Sequence, residues 1–338
     1  MIFGHGDDMY RYGNMIKLNF SSCTYGQADL SGLKDCLSRH LDLITSYPEP
    51  EPHELESMIA EQLGVPPNTV MVTAGVTEAI YLIAQAYQGW SSVIPQPTFS
   101  EYADACRTFG HIVSYQNQDE LEQLPDNRLY WICNPNNPTG NVLLKPLINY
   151  VVRKHPENIY IVDQAYEDYT LMPMLEAQEM LDCQNLFVLH SMTKKYAVPG
   201  LRIGYITASP VLLDRLRILR QPWSVSTLAI EAGKYLVGNR VKVIPDLQGF
   251  IREAMRLRGA LNAVDGLRVL DTKTSYMLVQ LSRGRSSDLK SYLIHHHGIL
   301  IRDASNFHGL GDQYFRVSTQ TPEANDLLVS AIREYLSV

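Results

Sequence analysis

The sequence predicts an α/β fold: a mainly parallel sheet sandwiched by helices, followed by a smaller α+β C-terminal domain. Three observations carry this expectation. From about residue 69 to 209, short apolar runs alternate with helix-length amphipathic segments. Those runs are nearly continuous Val, Ile and Leu, as in strands buried on both faces. After residue 209 the rhythm changes to few strands with helices at their flanks.

Taken in order, TVMVT (69–73), SVI (92–94), HIVSY (111–115), LYWIC (129–133), IYIVD (159–163), LFVLHS (186–191) and GYITA (204–208) read as strands. Helical periodicity occupies 77–88 and 147–155 between them. A helical region at 210–263 then leads to strands at 268–270, 276–281, 299–303 and 314–319, with helices at 286–297 and from Pro322. The length suits about two domains. The expected division is an N-terminal segment 1–45 packing on the small domain or a partner subunit, a large domain 46–235 and a small domain 236–338.

The formal charge of -7 argues against nucleic-acid or anionic-membrane partners. No apolar run reaches the roughly 18 residues of a membrane span. The N-terminus, MIFGHGDDMYRYG, lacks the basic-then-apolar order of a signal peptide. Five scattered cysteines (Cys23, Cys36, Cys106, Cys133, Cys183) without a CxxC pair read as reduced thiols of a cytoplasmic protein. His295 to His297 are adjacent, so on a helix they point in different directions, and no metal site is expected there.

Four segments carry chemistry. SMTKKYAVPGLRIGY (191–205) follows a strand and brings Ser191, Thr193, Lys194 and Arg202 into one stretch. Alone, its Lys-Lys pair reads as solvated surface. In a dry site or beside other cations, a lysine amine loses its proton and can form imines, and two hydroxyls with an arginine suit a phosphate dianion. CNPNNPTG (133–140) is a rigid loop offering the Asn136 and Asn137 amides, or a simple Asn-Pro turn. IVDQAYEDY (161–169) ends a buried strand on Asp163, with Tyr166 three residues on. A carboxylate buried there needs a cationic partner, which a protonated ring nitrogen would supply. VTAGVTEAI (72–80) is strand, glycine, helix start: Gly75 allows close approach, and the Val76 and Thr77 amides favour a phosphate. Standing alone, the segment reads as a helix start with Thr77 as its N-cap.

Together these segments resemble the fold-type I pyridoxal-phosphate (PLP) enzymes, the aspartate aminotransferase superfamily. NPxNPTG, D-x-A-Y and S-x-T-K-x7-R stand in that order, and the match runs from the Gly75 turn to Arg316. The resemblance implies pyridoxal 5'-phosphate as cofactor, carried by Lys194 as an imine, with Lys194, Asp163 and Tyr166 in catalysis. By resemblance, Asp163 pairs with the ring nitrogen, Asn137 and Tyr166 bond the ring's phenolic oxygen, and Phe99 stacks on the ring. Val76, Thr77, Ser191 and Arg202 hold the cofactor phosphate. Tyr47 reaches the phosphate held by a neighbouring subunit, which implies a homodimer with shared active sites.

Within that superfamily the chain looks most like the L-threonine-O-3-phosphate decarboxylases of cobalamin biosynthesis, beside the histidinol-phosphate aminotransferases. The tokens are HGD (5–7), YRYG (10–13), FSS (20–22), TFSEY (98–102), PWSV (222–225), IRDASNFHGL (301–310) and RVSTQTPEAN (316–325). They imply a phosphorylated amino-acid substrate, its carboxylate on Arg316 beside Asn137 and its phosphate on His5, Gly6 and Arg302. Cys23 and Ser226 stand where these decarboxylases usually have Asn, and Asp7 where a second Gly is common.

The resemblance implies decarboxylation of O-phospho-L-threonine, whereas Arg316 clamping the carboxylate near the ring plane would favour loss of the α-proton and so transamination. A PLP-sensing regulator would need an appended basic DNA-binding region, which residues 1–45 do not supply.

Overall fold

A computed structural model gives the structure, which describes residues 7–117 and 126–337. In chain order the strands are β1 (Leu18–Asn19), β2 (Val70–Thr73), β3 (Ser91–Gln96), β4 (Ile112–Asn117), β5 (Leu129–Cys133), β6 (Ile159–Asp163), β7 (Leu186–His190) and β8 (Gly204–Ala208). They continue with β9 (Leu267–Val269), β10 (Tyr276–Leu281), β11 (Ile299–Leu300), β12 (Arg302–Asp303) and β13 (Tyr314–Ser318).

The larger sheet has the order β2-β8-β7-β6-β5-β3-β4. All neighbours are parallel except at β8, which runs antiparallel to both β2 and β7. Side chains alternate between faces, as the strand period of two requires. Val72, Tyr130, Ile132, Tyr160, Val162 and Val188 enter one core, with Leu55, Ile59 and Ile148 from covering helices. Met71, Leu129, Trp131, Ile161, Phe187 and Leu189 enter the other, with Ile80, Ile83, Tyr102 and Leu213. Each apolar side chain fully buried this way is worth roughly 1.5–3 kcal/mol against exposure. HIVSY behaves differently because β4 is an edge strand, where Ile112 is 70% exposed.

The smaller sheet is antiparallel, in the order β12-β13-β10-β9. Helices Leu247–Asn262, Ser286–His297 and Pro322–Ser337 contribute Leu257, Leu261, Leu293 and Leu328 to its core. Two details differ from the sequence reading. ILIRD is two short strands, because the chain changes partner at Ile301: β11 pairs in parallel with β1, and β12 pairs with β13. The helical region is three helices, Pro210–Arg217, Thr227–Gly238 and Leu247–Asn262, with Pro222 and Pro245 in the interruptions. The N-terminal stretch joins both parts. Phe20, just after β1, is buried in the smaller sheet's core, while Leu33 of helix Ser31–Arg39 packs in the core of Leu55.

The loop after β5 ties the sheets together. Gly140 has φ +73, and a Cβ there would run into Thr272 Oγ1 and stand 2.7 Å from Thr274 Oγ1. The Lys273 amide donates to Gly140 O at 2.9 Å, and the Tyr276 hydroxyl donates to Asn136 O at 3.0 Å.

Candidate active site

The strand directions place the site. The six strands that share one direction end on one edge, where open α/β sheets bind ligands. Because β8 is reversed, its first residues lie at that edge too: Gly204 stands opposite Thr73, and Tyr205 opposite His190. Turns after β2, β3, β5, β6 and β7, and the turn before β8, therefore converge on one cavity of about 290 Å³.

One end of the cavity is a cradle for an anion. Val76 and Thr77 open the helix Val76–Ala86, preceded by Gly75 at φ +83. A Cβ at Gly75 would come within 3.0 Å of Arg202 Nη2, so glycine lets the guanidinium lie over the helix start. The hydroxyls of Ser191 and Thr193 lie 2.8 Å apart beside it. Helix-start amides, two hydroxyls and a guanidinium are donors that fit a phosphate.

At the floor, Asp163 ends β6 and is 4% exposed. Its Oδ1 accepts the Ala165 amide at 2.9 Å and its Oδ2 accepts the Tyr102 hydroxyl at 2.7 Å. Among the described residues Asp163 forms no ion pair. Burial raises its pKa, opposed by the Tyr102 and Ala165 hydrogen bonds. A buried carboxylate open to a cavity fits a cationic ring nitrogen. The donor set and this acid together fit PLP.

Lys194 lies between these ends, its Nζ 5.7 Å from the centre of the Tyr166 ring. Burial lowers its pKa, as do the charges of Arg316 and Arg202, while Cys23 opposes them. That environment favours a neutral, nucleophilic amine. Its neighbour Lys195 points elsewhere and pairs with Asp168 at 3.4 Å. Burial holds the Tyr166 hydroxyl protonated, and Phe99 packs edge-on to Tyr102 at 5.7 Å.

The far wall carries two arginines. Arg302 on β12 stands directly opposite Arg316 on β13, and the two are 7% and 3% exposed. Arg316 donates to Asn137 Oδ1 and, at 2.7 Å, to Ser21 O; its Nε is buried without a hydrogen-bond partner among the described residues. Arg302 donates to Asp303 O and, at 2.7 Å, to Asn306 Oδ1. Burial and the facing Arg316 push the Arg302 pKa down to about 10, which leaves it a cation at neutral pH. Like charges opposite each other in a sheet repel, and anions between them reverse the sign.

Val76, Thr77, Phe99, Asn137, Asp163, Tyr166, Ser191, Lys194, Arg202, Arg302 and Arg316 all line this one cavity. His5 and Gly6 lie outside the described residues. Tyr47 is away from the cavity, 85% exposed, its ring 5.3 Å from that of Trp223. Sequence reasoning gave no role to Tyr102 or to Asn306. Tyr102 follows Phe99 by three residues and Asn306 follows Arg302 by four, but no local pattern in the sequence ties Tyr102 to Asp163. Cys23, the departure noted above, is buried in the cavity wall.

The profile of the family "Aminotransferase class I and II" matches residues 14–332. A threonine-phosphate decarboxylase of Salmonella typhimurium is 31% identical over 319 residues, covering 90% of this chain and 87% of the relative. A histidinol-phosphate aminotransferase of Thermoanaerobacter pseudethanolicus is 29% identical over 311 residues, covering 87% and 85%. Among solved structures, L-threonine-O-3-phosphate decarboxylase from Porphyromonas gingivalis superposes with a TM-score of 0.92 at 35% identity, covering 95% of this chain and 100% of that one.

Proposed function

This chain belongs to the aminotransferase class I and II family, and on that premise we propose that it is a PLP-dependent decarboxylase of O-phospho-L-threonine. The product is (R)-1-amino-2-propanol O-2-phosphate, a precursor of the cobalamin side chain. The observation that carries this reading is the Arg302–Arg316 pair, facing one cavity with Lys194. O-phosphothreonine offers two anions, a carboxylate and a phosphate, whereas histidinol phosphate offers one. Aminotransferase action on histidinol phosphate is the second reading. It is supported by the relative above, and Arg316, braced against Asn137 and Ser21, would then serve the carboxylate of the amino-acid or keto-acid partner of the transamination.

Bound PLP supplies an electron sink that takes up the pair left when a bond at the substrate α-carbon breaks. Asp163 would keep the ring nitrogen protonated, and Asn137 and Tyr166 would serve the phenolic oxygen. Phe99 would pack on the ring, while Val76, Thr77, Ser191 and Arg202 would hold the phosphate. Lys194 anchors the cofactor and then moves a proton at the substrate α-carbon. Arg316, beside Asn137, takes the substrate carboxylate. Arg302, with His5 and Gly6, takes the substrate phosphate and fixes rotation about the α-carbon, which selects the bond that breaks. Tyr47 serves the phosphate of a partner subunit in a homodimer, and its exposed ring leaves it available for that. Five buried free cysteines suit a cytoplasmic protein.

The test is to mix the PLP-loaded protein with O-phosphothreonine and follow carbon dioxide without a keto-acid acceptor. Release is expected. Absent release, together with 2-oxoglutarate-dependent turnover of histidinol phosphate, overturns the reading.

A further inference from the structure

Tyr102 lies in the first turn of helix Glu101–Thr108 and sends its hydroxyl to Asp163 Oδ2, 2.7 Å away. The contact is well buried at the cavity floor: Tyr102 is 1% exposed and Asp163 4%. The ring has no freedom to leave. It stacks on Trp131 at 5.6 Å and 21°, and meets Phe99 edge-on at 83°. Trp131 is pinned in turn, since its Nε1 donates to Ser92 Oγ at 3.3 Å. Ser92 also bonds His111 Nδ1 at 2.9 Å, and the other ring nitrogen reaches Ala84 O at 2.8 Å. That arrangement makes Ser92 the donor to Nδ1 and Nε2 the donor to Ala84.

We propose that Tyr102 is a positioning residue for the cofactor ring nitrogen: by donating to Asp163 it holds that carboxylate ionised and aimed, and so fixes the shared proton on the ring. The inference rests on the PLP reading above. Burial, and then the facing carboxylate, keep the phenol protonated, so its hydroxyl donates to that carboxylate. The Ala165 amide occupies Oδ1, and without Tyr102 it would be the one donor left to this buried carboxylate among the described residues. The proton would then favour Asp163, and the ring would lose its charge. The other titratable groups facing Asp163 are Cys133 from β5, His190 from β7, and Glu167 and Tyr166 after β6. Substitution at Tyr102 leaves all of them in place.

The experiment measures PLP affinity of the apoprotein against pH for wild type and Tyr102→Phe, which keeps the stack on Trp131. Affinity falls on the acid side as Asp163 takes up a proton. Tyr102→Phe should move that fall upward by about one to two pH units, the size expected for a hydrogen bond to a charged group. A PLP analogue with carbon in place of the ring nitrogen should erase the difference between the two proteins. Coincident acid limbs, or an equal shift with the carbon analogue, overturn the proposal. If Tyr102→Phe does not fold, a fluorinated tyrosine at position 102 decides alone. It is a stronger donor of nearly the same shape and should move the limb downward, and an unmoved limb refutes the role. Failure of the PLP reading looks different, because wild type itself would then bind no PLP.

Discussion

Arg302 and Arg316 face each other across the β12–β13 pair, both buried and both opening on the cavity that contains Lys194. Two guanidiniums in register repel, and burial of both strengthens that repulsion. The arrangement makes sense for a ligand that brings its own two negative charges.

Replacing Arg302 therefore has a selective effect. Arg302→Ala should raise KM for O-phosphothreonine by about 30-fold or more, corresponding to about 2 kcal/mol for a truncated buried charge pair. Unphosphorylated threonine, a poor ligand from the start, should change little. Steady-state kinetics on both compounds decides, and equal losses remove Arg302 from the phosphate site.

Lys194 gives the apoprotein a pH signature. Its folded pKa is depressed, so between that value and the ordinary lysine value the unfolded chain binds more protons than the folded one. Stability should therefore rise with pH through this window and fall as pH drops through the folded pKa. Denaturant titrations of the apoprotein at several pH values should show this slope, with Lys194→Met flattening it and losing the visible absorbance of lysine-bound PLP. An unchanged slope in Lys194→Met would place the titration elsewhere.

Gly140 is the position where a single methyl group should matter. It combines φ +73 with Thr272 and Thr274 against its α-carbon. Gly140→Ala should cost about 1–3 kcal/mol from backbone conformation alone. Chemical denaturation measures this, and a variant as stable as wild type would show that neither the left-handed backbone nor the threonines penalise a side chain here.

Tyr47 can be tested by mixing. Tyr47→Phe and Lys194→Ala should each form defective dimers. Mixed dimers should regain one normal site, with Lys194 from one chain and Tyr47 from the other. Refolding the two together and titrating PLP reads the outcome; no recovery would confine Tyr47 to its own chain.

Much of this was legible in the sequence, for reasons specific to each element. IYIVD and LFVLHS announce buried strands because both faces are apolar, and Asp163 stands out as a charge at the end of such a run. The reversal of β8 left no local trace, since GYITA reads the same in either direction. ILIRD read as one strand because its two partners, β1 and β13, come from opposite ends of the chain. Lys194 and Lys195 are chemically identical, and only the turn of their short helix sends one to the cavity and the other to Asp168. Tyr102 was hidden because its partner lies 61 positions away and meets it only when a helix folds over β6.

The bracing of Arg316 has a consequence for synthesis of the protein. One guanidinium joins Ser21, near the start of the chain, to Asn137, in its middle, from a strand close to its end. Translation delivers the cofactor-cradle residues first and this arginine more than a hundred residues after Lys194. A nascent chain that has passed Arg202 thus holds the Lys194 amine, the Gly75–Arg202 cradle and Asp163 before Arg316 can brace Asn137 and Ser21. This part of the cavity wall can close only after β13 has been made.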